Sequence, residues 1–178
     1  MKVLGFCGLP GSGKSTAIEA ITQLGTIIMM GDVIRNEARK NGLALTDDNL
    51  GKIAKELRKE GGDEIVAEKC VELIKDTKKP PIFIDGLRSM AEVRVFRKYW
   101  DFLVIAIITD DHLRYQRISN RARMDDSKKK TDIEERDLRE IGFGLKEVIK
   151  NADYTIDNNS SSADLKLKTK ALVMKLIQ

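Results

Sequence analysis

Gly8-Leu9-Pro10-Gly11-Ser12-Gly13-Lys14-Ser15, followed by Thr16, is the stretch on which the fold turns. Its spacing is G-x-x-x-x-G-K-[ST], a P-loop. The apolar run Val3 to Cys7 leads into it, and Ala17, Ile18, Ile21 and Leu24 follow at helical spacing, which is the strand–loop–helix setting the motif requires. Glycines let successive backbone N–H groups turn inward around phosphate oxygens, and the following helix aims its positive end at the same anion. Lys14 then reaches the β- and γ-phosphates, while the Ser15 hydroxyl takes a magnesium position. Gly8, Leu9, Pro10, Gly11, Ser12, Gly13, Lys14, Ser15 and Thr16 are accordingly the candidate ATP-binding residues, with Mg²⁺ as the cofactor.

Working outward, further apolar runs occur at Thr26 to Met30, Ile82 to Ile84, Phe102 to Ile108 and Tyr154 to Ile156. Most lack polar alternation, as strands buried on both faces do. Helical patterns separate them, for example around Ile65, Val66, Val71 and Ile74. Strand alternating with helix predicts an α/β fold with an open parallel sheet and right-handed crossovers. The length of 178 residues suits one domain spanning 1–178. A last helix is expected from about Ala163, after the polar turn Asn158 to Ser162.

Composition narrows the chemistry. Hydrophobic residues at 42% and charged residues at 34%, with three prolines, exclude disorder and collagen-like repeats. Cys7 and Cys70 form no CxxC and His112 is the single histidine, so zinc sites and Ser-His-Asp hydrolysis are poorly supplied. Both cysteines are expected in the core and His112 at the surface. No apolar run reaches the length of about eighteen residues that a membrane span needs, which points to a cytoplasmic protein. The net charge of +4 does not by itself call for nucleic acid.

Two further features carry chemistry. Asp85 ends the run Pro81-Ile82-Phe83-Ile84, where a carboxylate holds a magnesium-bound water beside the P-loop or caps a helix starting near Arg88. Arg114, Arg117 and Arg121 lie at i, i+3 and i+7 on one helical face, with Arg123 just beyond. Such a stripe is commonly solvated, but with a triphosphate site upstream it reads as phosphate-binding, since guanidinium donors match phosphate oxygens and stay charged.

In order along the chain, the P-loop, Gly31-Asp32-Val33-Ile34-Arg35, Leu50-Gly51-Lys52, Asp85-Gly86-Leu87-Arg88, Arg117-Ile118-Ser119-Asn120-Arg121 and Arg123-Met124-Asp125-Asp126 resemble adenylate kinases. The closest likeness is to an archaeal family of adenylate-kinase-related P-loop proteins. The segment Ala152 to Asn158 is similar to dephospho-coenzyme A kinases. This resemblance implies a P-loop NTPase fold, its five-stranded parallel sheet in the order 2-3-1-4-5, with a short lid over about 122–135 and an acceptor-binding helical segment over about 31–78. It implies that Arg35 and Arg88 grip an acceptor phosphate, with Asp32, Arg58 and Glu92 on the same side. Arg117 is then placed against the donor adenine and Arg121, Arg123 and Arg136 around the transferred phosphoryl group, so that Lys14, Arg88, Arg121, Arg123 and Arg136 are the catalytic set. Asp32 and Asp85 would act on magnesium through water. Glu92 stands where adenylate kinases carry a glutamine that reads adenine; the other reading of Glu92 is a solvent-facing helix residue.

The function these readings imply is transfer of the γ-phosphoryl group of ATP to a nucleotide acceptor such as AMP. Two alternatives stand beside it: an ATPase or nucleotide-dependent switch, and a dephospho-coenzyme A kinase-like enzyme with Asp32 as base. A nucleic-acid role for the Arg114–Arg123 stripe is the remaining class. Small nucleotides, not membranes, are the expected partners.

Overall fold

Side chains alternate across a strand, so a run of consecutive apolar residues, such as Val3 to Cys7, demands apolar layers on both of its faces. β1 (Lys2–Cys7) meets that demand. Val3 and Cys7 join one buried cluster with Ile82, Ile84, Val104 and Ala106, while Leu4 and Phe6 join another with Phe83, Ile105 and Ile107. The computed structural model describes residues 1–75, 80–121 and 130–178, with Arg121 and Lys130 described by their backbone alone.

Four more strands complete a sheet: β2 (Thr26–Met29), β3 (Ile82–Asp85), β4 (Asp101–Ile108) and β5 (Tyr154–Asp157). The order is β2-β3-β1-β4-β5, all parallel, as the resemblance implies. Central β1 pairs Phe6 with Asp85 on one side and Cys7 with Ala106 on the other, so the P-loop leaves the carboxyl edge directly beside the end of β3. In open sheets of this kind, ligands bind at that edge.

Helices cover both faces. On one, α2 (Met30–Lys40), α3 (Asp47–Gly61), α4 (Ile65–Lys75), α5 (Met90–Tyr99) and α8 (Leu145–Lys150) contribute Ile34, Ile53, Cys70, Phe96 and Val148 to the first cluster. On the other, α1 (Lys14–Glu19) and α9 (Ser162–Ile177) contribute Ala17, Ile18, Leu165 and Val173 to the second. The apolar spacing through Leu24 suggests a longer first helix than forms. Beyond Glu19 the chain tightens into turns, with Ile21 N–H donating to Ile18 and Leu24 N–H to Ile21. The remaining elements, α6 (Asp111–Arg121) and α7 (Lys130–Gly142), flank residues 122–129. The expected lid therefore lies mostly outside the described residues, and its end is the start of α7.

Cys7 and Cys70 are fully buried, and burial pushes each thiol up to about 12. His112 is exposed. Among the described residues no helix is long and apolar enough to cross a membrane.

Candidate active site

The loop is held from outside by contacts to its carbonyls, and within itself by Ser12 N donating to Leu9 O at 3.0 Å. Ser12 O accepts from Asn158 Nδ2 at 2.8 Å and Thr109 Oγ1 at 2.9 Å, and Pro10 O accepts from Arg114 Nη1 at 2.7 Å. Gly13 has φ 98°, and a Cβ there would stand 2.1 Å from Asn158 Nδ2. Gly11 has φ 78°, and a Cβ there would meet the carbonyl of Arg114 at 2.7 Å. Both positions need glycine for their backbone angle and for the close approach. No side chain caps α1 and no acid sits in its first turn, so its leading N–H groups are left for an anion.

A cavity of about 490 Å³ opens from this loop. Gly8 through Thr16 line it, with Arg88, Arg117, Arg136 and Glu140 on the facing elements. The size is within the range of small-molecule sites. Lys14 Nζ lies 2.8 Å from Asp85 Oδ1 at the tip of β3. Asp85 caps no helix: α5 begins at Met90, with Ser89 and Glu92 forming a capping box. Arg117 donates to Asn158 O at 3.0 Å. Arg136 Nε lies 3.5 Å from Asp47 Oδ1. Arg139, one turn away, holds the same Asp47 at 2.6 Å.

Arg88 Nε donates to the Glu140 carboxylate, and the opposing carboxylates hold Arg88 still further above its ordinary value. Burial pushes the Glu140 carboxyl up, but the charge and hydrogen bond of Arg88, with Arg136 and Arg139 nearby, outweigh it and leave Glu140 below its ordinary 4.5. A carboxylate with a depressed folded pKa contributes stability that is present above the unfolded value and disappears as pH falls through the folded one. Between about pH 5 and 3 the wild-type protein should therefore lose stability more steeply than Glu140→Gln, as followed by urea midpoints at each pH. Parallel acid limbs would contradict this assignment.

Several sequence expectations are relocated. Glu92 is not solvent-facing: it is fully buried, and its carboxylate accepts from Arg58 Nη2 at 2.7 Å, from Arg88 N at 2.7 Å and from Ser89 N at 3.2 Å. Burial still leaves its carboxyl above the ordinary range, against the pull of Arg58 and Arg88. Arg58 is spent on Glu92 and on the ring of Phe143, 4.4 Å from its guanidinium. Asp32 and Arg35 pair with each other at 2.7 Å. None of these four lines the cavity, and neither does any other described residue of 31–75. Arg114 is not part of a solvated stripe either, being 2% exposed. Arg123 and the side chain of Arg121 lie outside the described residues.

Sequence reasoning missed Glu140, Asn158, Asp47 and Asp137 as parts of the site's framework, and read Arg114 as phosphate-binding where it instead bonds Pro10 O and Asp137. Glu140 follows Arg136 by one helical turn, a spacing that is visible in the chain. Asn158, directly after β5, ends the Ala152–Asn158 segment already singled out, but nothing in that segment's spacing points to a contact with Ser12.

A family model described as "AAA domain" matches residues 4–141. A UPF0200/UPF0201 protein of Archaeoglobus fulgidus is 42% identical over 99% of this chain, which spans 56% of that relative's length. A UPF0200 protein of Methanothermobacter thermautotrophicus is 40% identical, covering 100% of this chain and 92% of its own. Among solved structures, the fold is shared with TT1252 from Thermus thermophilus at 18% identity and TM-score 0.62, covering 99% and 98% of the two chains. Shikimate kinase from Acinetobacter baumannii, in complex with shikimate, gives 17% identity and TM-score 0.60, with 98% and 94% covered. These two establish a P-loop kinase fold. Sequence identity sustained over nearly all of both proteins goes further, and by it the chain belongs to the UPF0200 family, with an AAA-domain segment that contains the whole phosphate cradle.

Proposed function

We propose that the protein is an ATP-dependent phosphotransferase of adenylate-kinase-like type, moving the γ-phosphoryl group of ATP to a nucleotide acceptor such as AMP. The observation that carries this reading is one cavity, lined by the P-loop, onto which Lys14, Arg117 and Arg136 converge from three helices and Arg88 from the loop between β3 and α5. Phosphoryl transfer asks little covalent chemistry of a protein. It needs the donor and acceptor oxygens held in line and the spreading negative charge neutralised. Lys14 and the P-loop amides bind the donor phosphates, Arg117 orients the nucleotide, and Arg88 and Arg136 receive the acceptor and the transferred group. A phosphate acceptor is already ionised near neutral pH, so no general base is required.

Magnesium suits the donor set: the Ser15 hydroxyl and the Asp85 carboxylate are hard oxygen ligands beside the cradle, few in number, as expected where the nucleotide and water supply the rest. Bound there, it would supply charge neutralisation of the triphosphate.

A second reading, ATP hydrolysis coupled to a conformational switch, is favoured by a separate observation: Asp32 with Arg35 and Arg58 with Glu92 are paired among themselves and away from the cavity. Acceptor dependence separates the two. A kinase should release ADP in proportion to added nucleoside monophosphate. The paired variant Arg88→Met with Glu140→Gln, which buries no lone carboxylate, is expected to lose that dependence while keeping Mg·ATP affinity within about threefold. ADP release indifferent to every monophosphate supports hydrolysis instead.

A further inference from the structure

Arg114 and Asp137 stand outside the cavity, yet they grip its loop. Arg114 is 2% exposed and Asp137 7%. The guanidinium uses its whole hydrogen-bonding fork: Nε and Nη2 donate to Asp111 Oδ1 at 3.0 and 2.7 Å, Nη2 and Nη1 to the two Asp137 oxygens at 2.6 and 3.2 Å, and Nη1 to Pro10 O at 2.7 Å. The same residue meets the loop twice, because its own carbonyl closes on Gly11. Pro10 and Gly11, at the crown of the P-loop, are therefore clasped between the head and the backbone of one arginine. Asp137 belongs to α7, whose Arg136 and Glu140 line the cavity from the other side.

Resting on the phosphotransferase reading, we infer that Arg114 and Asp137 are positioning residues for the phosphate cradle, and that they make nucleotide binding and the docking of α7 mutually reinforcing. A buried ion pair is a poor device for stability alone, since an apolar pair of equal volume serves as well or better. Here its geometry does something apolar groups cannot. It fixes a carbonyl of the crown by a directed, charge-assisted bond and so sets where the adjoining amides point. Linkage then requires that whatever holds α7 in place tightens the nucleotide, and that the nucleotide holds α7.

The full-length chain is assayed for Mg·ATP binding by calorimetry, together with Asp137→Asn, Arg114→Lys and the double variant. Each single variant should weaken Mg·ATP about tenfold, and the double variant should be no worse than either single one, the signature of one shared contact. Asp153→Asn serves as the comparison for stability loss. It breaks the Arg97 pair at the amino-terminal end of β5, remote from the loop, and should leave the affinity within about twofold even where its melting point falls. In the wild type, Mg·ATP should slow hydrogen exchange of α7 amides, and this protection should vanish in Asp137→Asn. If Asp137→Asn melts below the assay temperature, Arg114→Lys, which keeps the charge but loses the fork, bears the same comparison. Single variants that bind as tightly as wild type, additive losses in the double variant, or undiminished α7 protection in both single variants overturn the inference. A wild-type protein that does not bind Mg·ATP overturns the phosphotransferase reading itself, a different and separately visible failure.

Discussion

Replacing Lys14 with Met is expected to weaken Mg·ATP binding by at least about a hundredfold, close to 2.7 kcal/mol, because the ammonium is the cation placed at the mouth of the amide cradle. A second effect accompanies it. Asp85, whose side chain is 8% exposed, loses the partner 2.8 Å away, and a carboxylate left in that position destabilises the fold. Lys14 is 23% exposed, so the cost is below that of a wholly buried pair, at about 1–3 kcal/mol. The two effects are separable. Adding Asp85→Asn to Lys14→Met should recover most of the lost stability in urea unfolding and none of the lost affinity in calorimetry. Affinity that returns with stability would mean that Lys14 acts only through the fold.

Arg58→Met should be the most destabilising single change among those considered, at about 3–5 kcal/mol. Among the described residues it removes the one side-chain cation that contacts Glu92, which is fully buried and then keeps the backbone donors of Arg88 and Ser89. The pH dependence has a definite sign. Burial already places the Glu92 carboxyl above its ordinary range, and loss of Arg58 raises it further. A group with a raised folded pKa contributes stability that is fully present below its unfolded value and is lost as pH rises through the folded one. The deficit of Arg58→Met relative to wild type should consequently widen from about pH 5 to pH 8, measured as the difference in urea midpoints at each pH. Arg58→Met combined with Glu92→Gln should recover much of the loss, since it leaves no buried charge unpaired. A deficit that is flat with pH would show that packing against Phe143, rather than charge, governs this contact.

Much of the architecture was legible before any coordinates. The strands lie where short apolar runs end in turn residues, and in the three central strands the lack of alternation reports apolar layers on both faces, as Leu4 and Phe6 against Val3 and Cys7 demonstrate; the edge strands β2 and β5 are only partly covered, β5 burying Ile156 alone. The P-loop was legible because its function is local: glycines, lysine and hydroxyl act within one turn of the chain. The cap of α5 was less so. Asp85 and Ser89 both suit the position, and only the path of the loop selects Ser89, freeing Asp85 to face Lys14.

The state of the charged residues was not legible in the same way. Helical spacing put Arg114 and Arg117 on a shared face, but it carries no information about which of them meets a carboxylate arriving from elsewhere. Arg114 is paired with Asp137, 23 positions away; Arg58 with Glu92, 34 away; Arg88, still lining the cavity, with Glu140, 52 away; and Arg139 with Asp47, 92 away. By itself the sequence determined the parallel sheet and the P-loop, since each follows from patterns no longer than one strand–loop–helix unit. Tertiary structure alone decided which arginines, Arg58 and Arg114 among them, are taken up by buried carboxylates, because a guanidinium's availability depends on the nearest anion in space, and the entropy cost of closing a loop grows so slowly with its length that the anion comes from any distance along the chain.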